Sequence, residues 1–280
     1  MIETSELLMM LVLLLIIGGI AGVIAGLLGV GGGIILVPAF YFAFEYLGYD
    51  SIHLMQICLA TSLATIIITS IRSVQAHHRK NAVDWSIIKK WTLSISLGAI
   101  VGVIFAARLS SSALMIIFGV LGICVGLYLS FGKVDWRISD EMPKGFKRIF
   151  TAVILGFGSV LMGIGGGSFG VPMMTLFNVP IHRAIATASA FGFAIALPSV
   201  IGFLFLKIPI EARPPLMIGS INLLAFSVIV FMTFLTTPIG VKIAQDKRGA
   251  NTAMQFLIAD DEDPMKRARS RSNERGSTGL

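Results

Sequence analysis

The chain has 280 residues, of which 55% are hydrophobic and 13% charged, with a mean hydropathy of +0.88. A soluble domain carries about 25% charged residues, so this composition excludes an ordinary aqueous enzyme, a disordered chain and a coiled coil. Two cysteines, Cys58 and Cys124, each inside an apolar run, exclude a disulfide-stapled module and read as buried small hydrophobes. The net charge of +7 does not point to nucleic acid, because the basic residues flank apolar runs and crowd the C-terminal stretch.

Taken in chain order, runs of about 20 apolar residues predict an all-α polytopic membrane protein. The first segment covers 7–46 and is interrupted by glycines at 29–33. Residues 7–17 look like the apolar core of a signal peptide, but neither a basic leader nor a small-residue cleavage site accompanies them, so the segment reads as mature structure. Spans follow at 54–75, 86–107 and 111–131, then a second glycine-interrupted segment at 149–178, then spans at 184–206 and 214–236. The chain thus divides into a first transmembrane repeat (1–131), a connection (132–148), a second transmembrane repeat (149–240) and a polar tail (241–280) expected to be disordered.

Lysine and arginine set the expected orientation. Arg79, Lys80, Lys89 and Lys90 mark one connection as cytoplasmic, and Lys133, Arg137, Lys144, Lys147 and Arg148 mark another. The N-terminus and the 45–53 connection contain neither residue and are assigned outside. Segment 7–46 then begins and ends outside, whereas 149–178 begins and ends inside, near His182 and Arg183. The two halves enter the bilayer from opposite faces, and the tail lies in the cytoplasm.

Direct self-similarity supports a duplication. Residues 29–38 read GVGGGIILVP and residues 163–172 read GIGGGSFGVP, with glycines and proline in register. Each is followed by a second echo, Ala60-Thr61-Ser62 and Ala186-Thr187-Ala188. Two inverted repeats, each a glycine-broken hairpin plus transmembrane helices, are the expected architecture, and such broken segments point to the midplane site of a secondary transporter.

A run of glycines cannot stay a good helix, since each costs about 1 kcal/mol relative to alanine. Backbone freed within lipid is tolerated only where protein buries it or it lines a wet cavity. Helix N-termini there favour anions through unpaired N–H groups and the positive end of the dipole. Gly31, Gly32 and Gly33 in one break and Gly165, Gly166 and Gly167 with Ser168 in the other are therefore candidate substrate contacts. Pro38 and Pro172 are expected to limit where the following helices begin. A soluble phosphate loop is excluded by context, because no strand precedes either break and no GK[ST] follows. Gly18, Gly22 and Gly26, like Gly98 with Gly102, read as close helix crossings.

Polar residues inside spans complete the set. Thr61, Ser62, Thr187 and Ser189 lie in early turns of the spans that follow the breaks, and Asn222 is an amide in an apolar span that needs a partner. For each, a local carbonyl bond or inter-helix contact is the alternative to a substrate contact. No Asp, Glu or His falls in the middle of a full span, so no carboxylate proton relay is visible. Arg72, Arg108 and Lys207 sit near span ends, where snorkelling is the ordinary behaviour. His77 and His78 lack partners at metal-ligand spacing. Neither a catalytic constellation, a metal site nor a cofactor is implied.

The stretches GLLGVGGGIILVP (26–38), GIGGGSFGVP (163–172), ATS (60–62), HHRKNAVDW (77–85), GSINLLAF (219–226) and TPIG (237–240) together resemble the TauE/SafE family of membrane permeases, often described as sulfite exporters. The resemblance covers about residues 7–240 and implies a bacterial inner-membrane protein moving small oxyanions, sulfonates or related organic acids. The chain departs from the family's pattern after residue 240, where a further apolar helix is usual: 241–280 carries eight Lys/Arg and six Asp/Glu. The final helix of the second repeat is thus missing, and a homodimer would cover the face left open. The leading expectation is a secondary permease for a small anionic solute. A channel-like conduit and a non-transporting scaffold or subunit are the alternatives.

Overall fold

The structure, a computed structural model, describes residues 4–28, 33–49, 51–131, 136–206, 208–209, 213–239 and 243. Gly31, Gly32, Lys207 and the tail from 244 onward lie outside the described residues. The first broken segment forms α1 (Thr4–Leu28) and α2 (Gly33–Tyr46), followed by α3 (Leu54–His78), α4 (Trp85–Ala106) and α5 (Ser111–Phe131). The second forms α6 (Gly145–Leu161) and α7 (Gly167–Leu176), followed by α8 (Ile181–Leu204) and α9 (Leu223–Ile239). Among these, α3, α4, α5 and α8 are long and apolar enough to cross a bilayer, and α2 and α9 are shorter apolar helices. The molecule is an all-α polytopic membrane protein, apart from one short hairpin among the described residues.

That hairpin corrects the span expected over 214–236. Strand β1 (Met217–Ile218) pairs antiparallel with β2 (Ile221–Asn222), so the helix starts only at Leu223. Gly219 takes a left-handed φ of +58°, which a tight two-residue turn favours in glycine, and Ser220 N–H reaches Phe203 O at 3.3 Å, pinning the turn to the end of α8. The prolines are a second correction. Both α2 and α7 begin at the last glycine of their break, and Pro38 and Pro172 sit inside them. Each proline removes an N–H, which frees the carbonyl four residues earlier, that of Ile34 and that of Ser168.

The core is built on α3, which is continuously buried from Leu54 to Ile66. Helix α8 packs against α3 in the opposite direction: Gly192 meets Ile66 and Ser70, while the end of the bundle beyond α3 brings Asp84 to Thr187. Helix α4 runs alongside α8, with Ser96 Oγ donating to Ala194 O at 2.8 Å and Gly202 seated on Val103. In the same way α9 runs alongside α3, from the Asn222–Thr61 contact to Arg72 stacked on Phe234.

Glycine crossings fasten the outer helices. A Cβ on Gly98 would run into Val153 O and lie 2.7 Å from Val153 C, and one on Gly156 would run into Ile95 O. Gly18 is seated on Met232, and Gly22 on Thr233 and Thr236, so α1 packs on α9 as α6 packs on α4. Gly26 falls outside the residues whose packing is described. Because backbone atoms cannot step aside, Gly98→Ala is expected to destabilise the protein by about 1–3 kcal/mol. Thermal unfolding of the purified protein in detergent checks this, with Gly119→Ala, whose surroundings are open, expected to match the wild type.

Apolar side chains on α4 and α5, among them Leu93, Ile104, Ile116 and Ile123, stay exposed, as lipid-facing residues do. Cys58 is buried as expected, whereas Cys124 lies exposed on α5.

Candidate functional site

The second break has a defined geometry. Helix α6 ends at the cap residue Met162, and Gly163 follows with φ +56°. Gly163 N–H bonds Val160 O at 2.9 Å and Ile164 N–H bonds Ser159 O at 3.0 Å, the two reversed bonds of a Schellman cap. The left-handed residue this cap requires is the first glycine of the repeated run. Helix α7 then starts, with its first described backbone bond running from Gly170 N–H to Gly166 O at 2.7 Å. The N–H groups of Gly167, Ser168 and Phe169 have no acceptor within their own helix.

The other glycines let this elbow sink between helices. A Cβ on Gly166 would collide with Phe191 Cβ and lie 2.7 Å from Ala188 O, both on α8. At Gly165 the nearest atoms would be Ile66 Cγ2 at 3.3 Å and Gly192 Cα at 3.6 Å. The described end of the first break meets the second directly: a Cβ on Gly33 would lie 2.9 Å from both Gly163 O and Ile164 Cα. In this conformation the two elbows are in contact. The cavities described lie elsewhere, one between α1 and α2 and one at the start of α6.

Helix α3 supplies the polar wall. Ser62 Oγ donates to Gly163 O at 2.8 Å, and Thr61 Oγ1 accepts Asn222 N–H at 3.1 Å; all three side chains are fully buried. Asn222 closes its own start of α9, with Oδ1 accepting Ala225 N–H at 2.8 Å and Nδ2 donating to Pro215 O at 2.8 Å. It is therefore the N-cap of α9 rather than an amide inside a span. Ser168 is buried beside the elbow and, among the described residues, its hydroxyl has no hydrogen-bond partner, as is true of Ser159 Oγ. A buried unpartnered hydroxyl costs about 1–3 kcal/mol, so these two groups are the sharpest polar anomaly of the elbow.

Thr187 and Ser189 turn elsewhere. Thr187 Oγ1 accepts Asp84 N–H at 3.0 Å, and Ser189 Oγ donates to Ala186 O at 2.6 Å within its own helix. Asp84 is the N-cap of α4, where Oδ1 accepts from Ser86 and Ile87 N–H. The Ser86 hydroxyl holds the Asp84 carboxyl below the usual carboxylate range; burial opposes it, and the two amides and the charge of Arg183 add smaller effects in the same direction as the hydroxyl.

The structure thus brings together Gly33, Thr61, Ser62, Gly165, Gly166, Ser168 and Asn222 around α3 and α8, with Gly167 opening α7, while Thr187 and Ser189 make other bonds. It adds Gly163, Ser159 and Asp84. Gly163 and Asp84 stand inside the motifs that drew attention, whereas no sequence signal marks Ser159. The two echo threonines do matching work: each accepts the N–H of a residue that caps a helix on the other side of the 132–148 connection, Asn222 for Thr61 and Asp84 for Thr187.

Residues 14–259 match the family described as Sulfite exporter TauE/SafE. The chain is 27% identical over 230 residues to a probable membrane transporter protein of Haemophilus influenzae, covering 82% of this chain and 87% of that one. It is 32% identical over 183 residues to a probable membrane transporter protein of Methanocaldococcus jannaschii, covering 65% and 67%. It is 31% identical over 214 residues to the probable membrane transporter protein YunE of Bacillus subtilis, covering 69% and 77%. No solved structure matches the chain. With buried glycine elbows in an all-α membrane bundle and a family match over most of its length, the chain belongs to the TauE/SafE family of membrane transporters.

Proposed function

We propose that the chain is a secondary transporter of small anions, sulfite, sulfonates or related organic acids, working by alternating access around the two glycine elbows. The observation that carries this reading is the elbow at Gly163–Gly167, touched by Gly33 of the first break and bearing the buried Ser168 hydroxyl, which has no partner among the described residues. First-turn N–H groups of α7 and a free hydroxyl donor suit an oxyanion. The antiparallel course of α3 and α8 and the matching threonine bonds support an inverted duplication, in which opposite halves open to opposite faces. The elbows touch in this conformation, so solute passage requires them to part. The excess of Lys and Arg supports a cytoplasmic side for the start of α6 and the C-terminal tail, with a bacterial inner membrane as the proposed location.

The test is flux in proteoliposomes, using sulfite, thiosulfate, sulfoacetate and small carboxylates as a panel. Saturable uptake with counterflow of one of these anions is the expected result; unsaturable flux would indicate a channel, and no flux a scaffold. Ser168→Ala, which removes one oxygen and leaves the fold unchanged, is expected to raise the half-saturating concentration about tenfold or more, as loss of a hydrogen bond to a charged group does. An unchanged value would take Ser168 out of the site.

A further inference from the structure

At the basic end of the bundle, where α4 and α6 both begin, lies a cavity of about 340 Å³ lined by Ser86, Ile87, Lys90, Trp91, the 141–144 loop and Arg148. It is distinct from the elbows, which involve the far ends of α6 and α7. Three of its lining residues are cations, Lys90, Lys144 and Arg148, against the single carboxylate of Glu141. Glu141 is already paired with Lys144 in an exposed ion pair at the rim. Among the described residues neither Lys90 nor Arg148 has an acidic partner, and Arg148 Nε is buried with no acceptor.

A guanidinium N–H withdrawn from water without an acceptor costs free energy, so the cavity is short of negative charge. The helix beginning beside it adds to that shortage. Lys144, the N-cap of α6, makes no side-chain cap bond, and the first turn carries no acidic residue, unlike α4, which Asp84 caps. Uncapped first-turn N–H groups and the positive dipole end therefore face the same region.

The surroundings say where the missing anion comes from. Phe146 and Phe150 in the first turns of α6 are 80% and 59% exposed, and Trp85 at the start of α4 is 43% exposed. Aromatic rings mixed with Lys and Arg at helix ends mark headgroup depth. The cavity therefore opens at the level where lipid phosphates sit, and its inner wall of Ile87, Trp91, Met142 and Pro143 offers apolar contact to a glycerol backbone.

We infer that this cavity between α4 and α6 is a binding site for the phosphate of an anionic phospholipid, held by Lys90 and Arg148. Lipid seated there fastens the start of α6 to α4, the pair of helices whose glycine crossing lies deeper in the same contact.

The experiment uses the full chain purified in a neutral detergent, with thermal unfolding and native mass spectrometry as readouts. Phosphatidylglycerol is expected to raise the unfolding midpoint and to be retained on the protein, whereas phosphatidylcholine and inorganic phosphate at equal concentration are not. The Lys90→Gln, Arg148→Gln double variant is expected to lose phosphatidylglycerol affinity by about tenfold or more. Lys89→Gln, Lys147→Gln removes the same charge from exposed positions outside the cavity and is expected to bind as the wild type does. Equal loss in the two double variants would reduce the effect to general surface charge and overturn the site. Stabilisation by inorganic phosphate as strong as by the lipid would overturn the lipid as its source, and undiminished lipid binding by the cavity variant would overturn the role of both residues.

Discussion

Gly166→Ala is expected to abolish anion flux, while Gly165→Ala leaves it within about twofold of the wild type. The two glycines are neighbours in the same run, so glycine content alone would rank them equally. Their surroundings differ. A methyl at Gly166 would meet Phe191 Cβ, the Ala188 carbonyl oxygen at 2.7 Å and Gly192 N at 2.9 Å, which belong to the backbone and first side-chain atom of α8. Helix α8 is held from two sides by α3 and α4, so it cannot retreat, and the elbow must move instead. Overpacking of this kind costs about 1–3 kcal/mol, occasionally more, and here the displacement falls on the α7 N–H groups that the anion would use. At Gly165 the nearest atom is the branch methyl Cγ2 of Ile66 at 3.3 Å, and a shift of a few tenths of an ångström relieves that contact. Gly33→Ala is expected to fall between them, since its methyl would press on Gly163 O and Ile164 Cα at 2.9 Å and hold the elbows apart. Uptake of the anion that the wild-type protein moves fastest, beside size-exclusion profiles and unfolding midpoints, distinguishes a damaged site from a misfolded protein. Wild-type uptake by Gly166→Ala would remove the second elbow from the mechanism.

Much of this geometry was legible because it rests on local chemistry. Hydropathy located α3, α4, α5 and α8 within a few residues, since a bilayer demands long apolar helices. The ten-residue echo located both breaks, and α2 and α7 begin at its equivalent glycines, Gly33 and Gly167. The hairpin before α9 was hidden because Met217–Asn222 is as apolar as a span, and only Gly219-Ser220 marks the turn. The roles of the polar residues were hidden for another reason. Whether Thr187 faces the elbow or Asp84, or whether Ser62 finds a carbonyl in the opposite half, depends on partners 103 and 101 positions away. A Ser or Thr in an apolar span announces that it needs a bond, not where the bond goes. Asn222 illustrates this: its need for partners was evident, and the structure spends its side chain on capping α9 and its backbone N–H on Thr61.

Those two threonine bonds make a second, separable prediction. Thr61→Val keeps the shape of the side chain and removes the acceptor for Asn222 N–H, leaving a donor stranded where both residues are fully buried. The expected cost is about 1–3 kcal/mol, seen as a lower unfolding midpoint. Thr187→Val strands the N–H of Asp84, which is only half-buried and within reach of water, so its cost is expected to be smaller, about 0.5–1.5 kcal/mol. Thr61→Ser and Thr187→Ser retain the oxygen and are expected to recover most of each loss. The two bonds lie at opposite ends of the antiparallel α3–α8 pair, one reaching the start of α9 and the other the start of α4, and share no partner, so the valine effects on stability are expected to add within about 0.5 kcal/mol in the double variant. Transport is expected to behave differently. If α4 and α9 must shift against the opposite half during the cycle, each bond forms on one side of that movement, and removing one biases the protein toward one facing. Thr61→Val and Thr187→Val are then expected to change anion uptake in opposite senses for a given direction of the gradient, and the double variant to restore the balance while remaining the least stable of the three. Parallel losses of uptake that merely track the unfolding midpoints would instead make both threonines structural fasteners with no part in the movement.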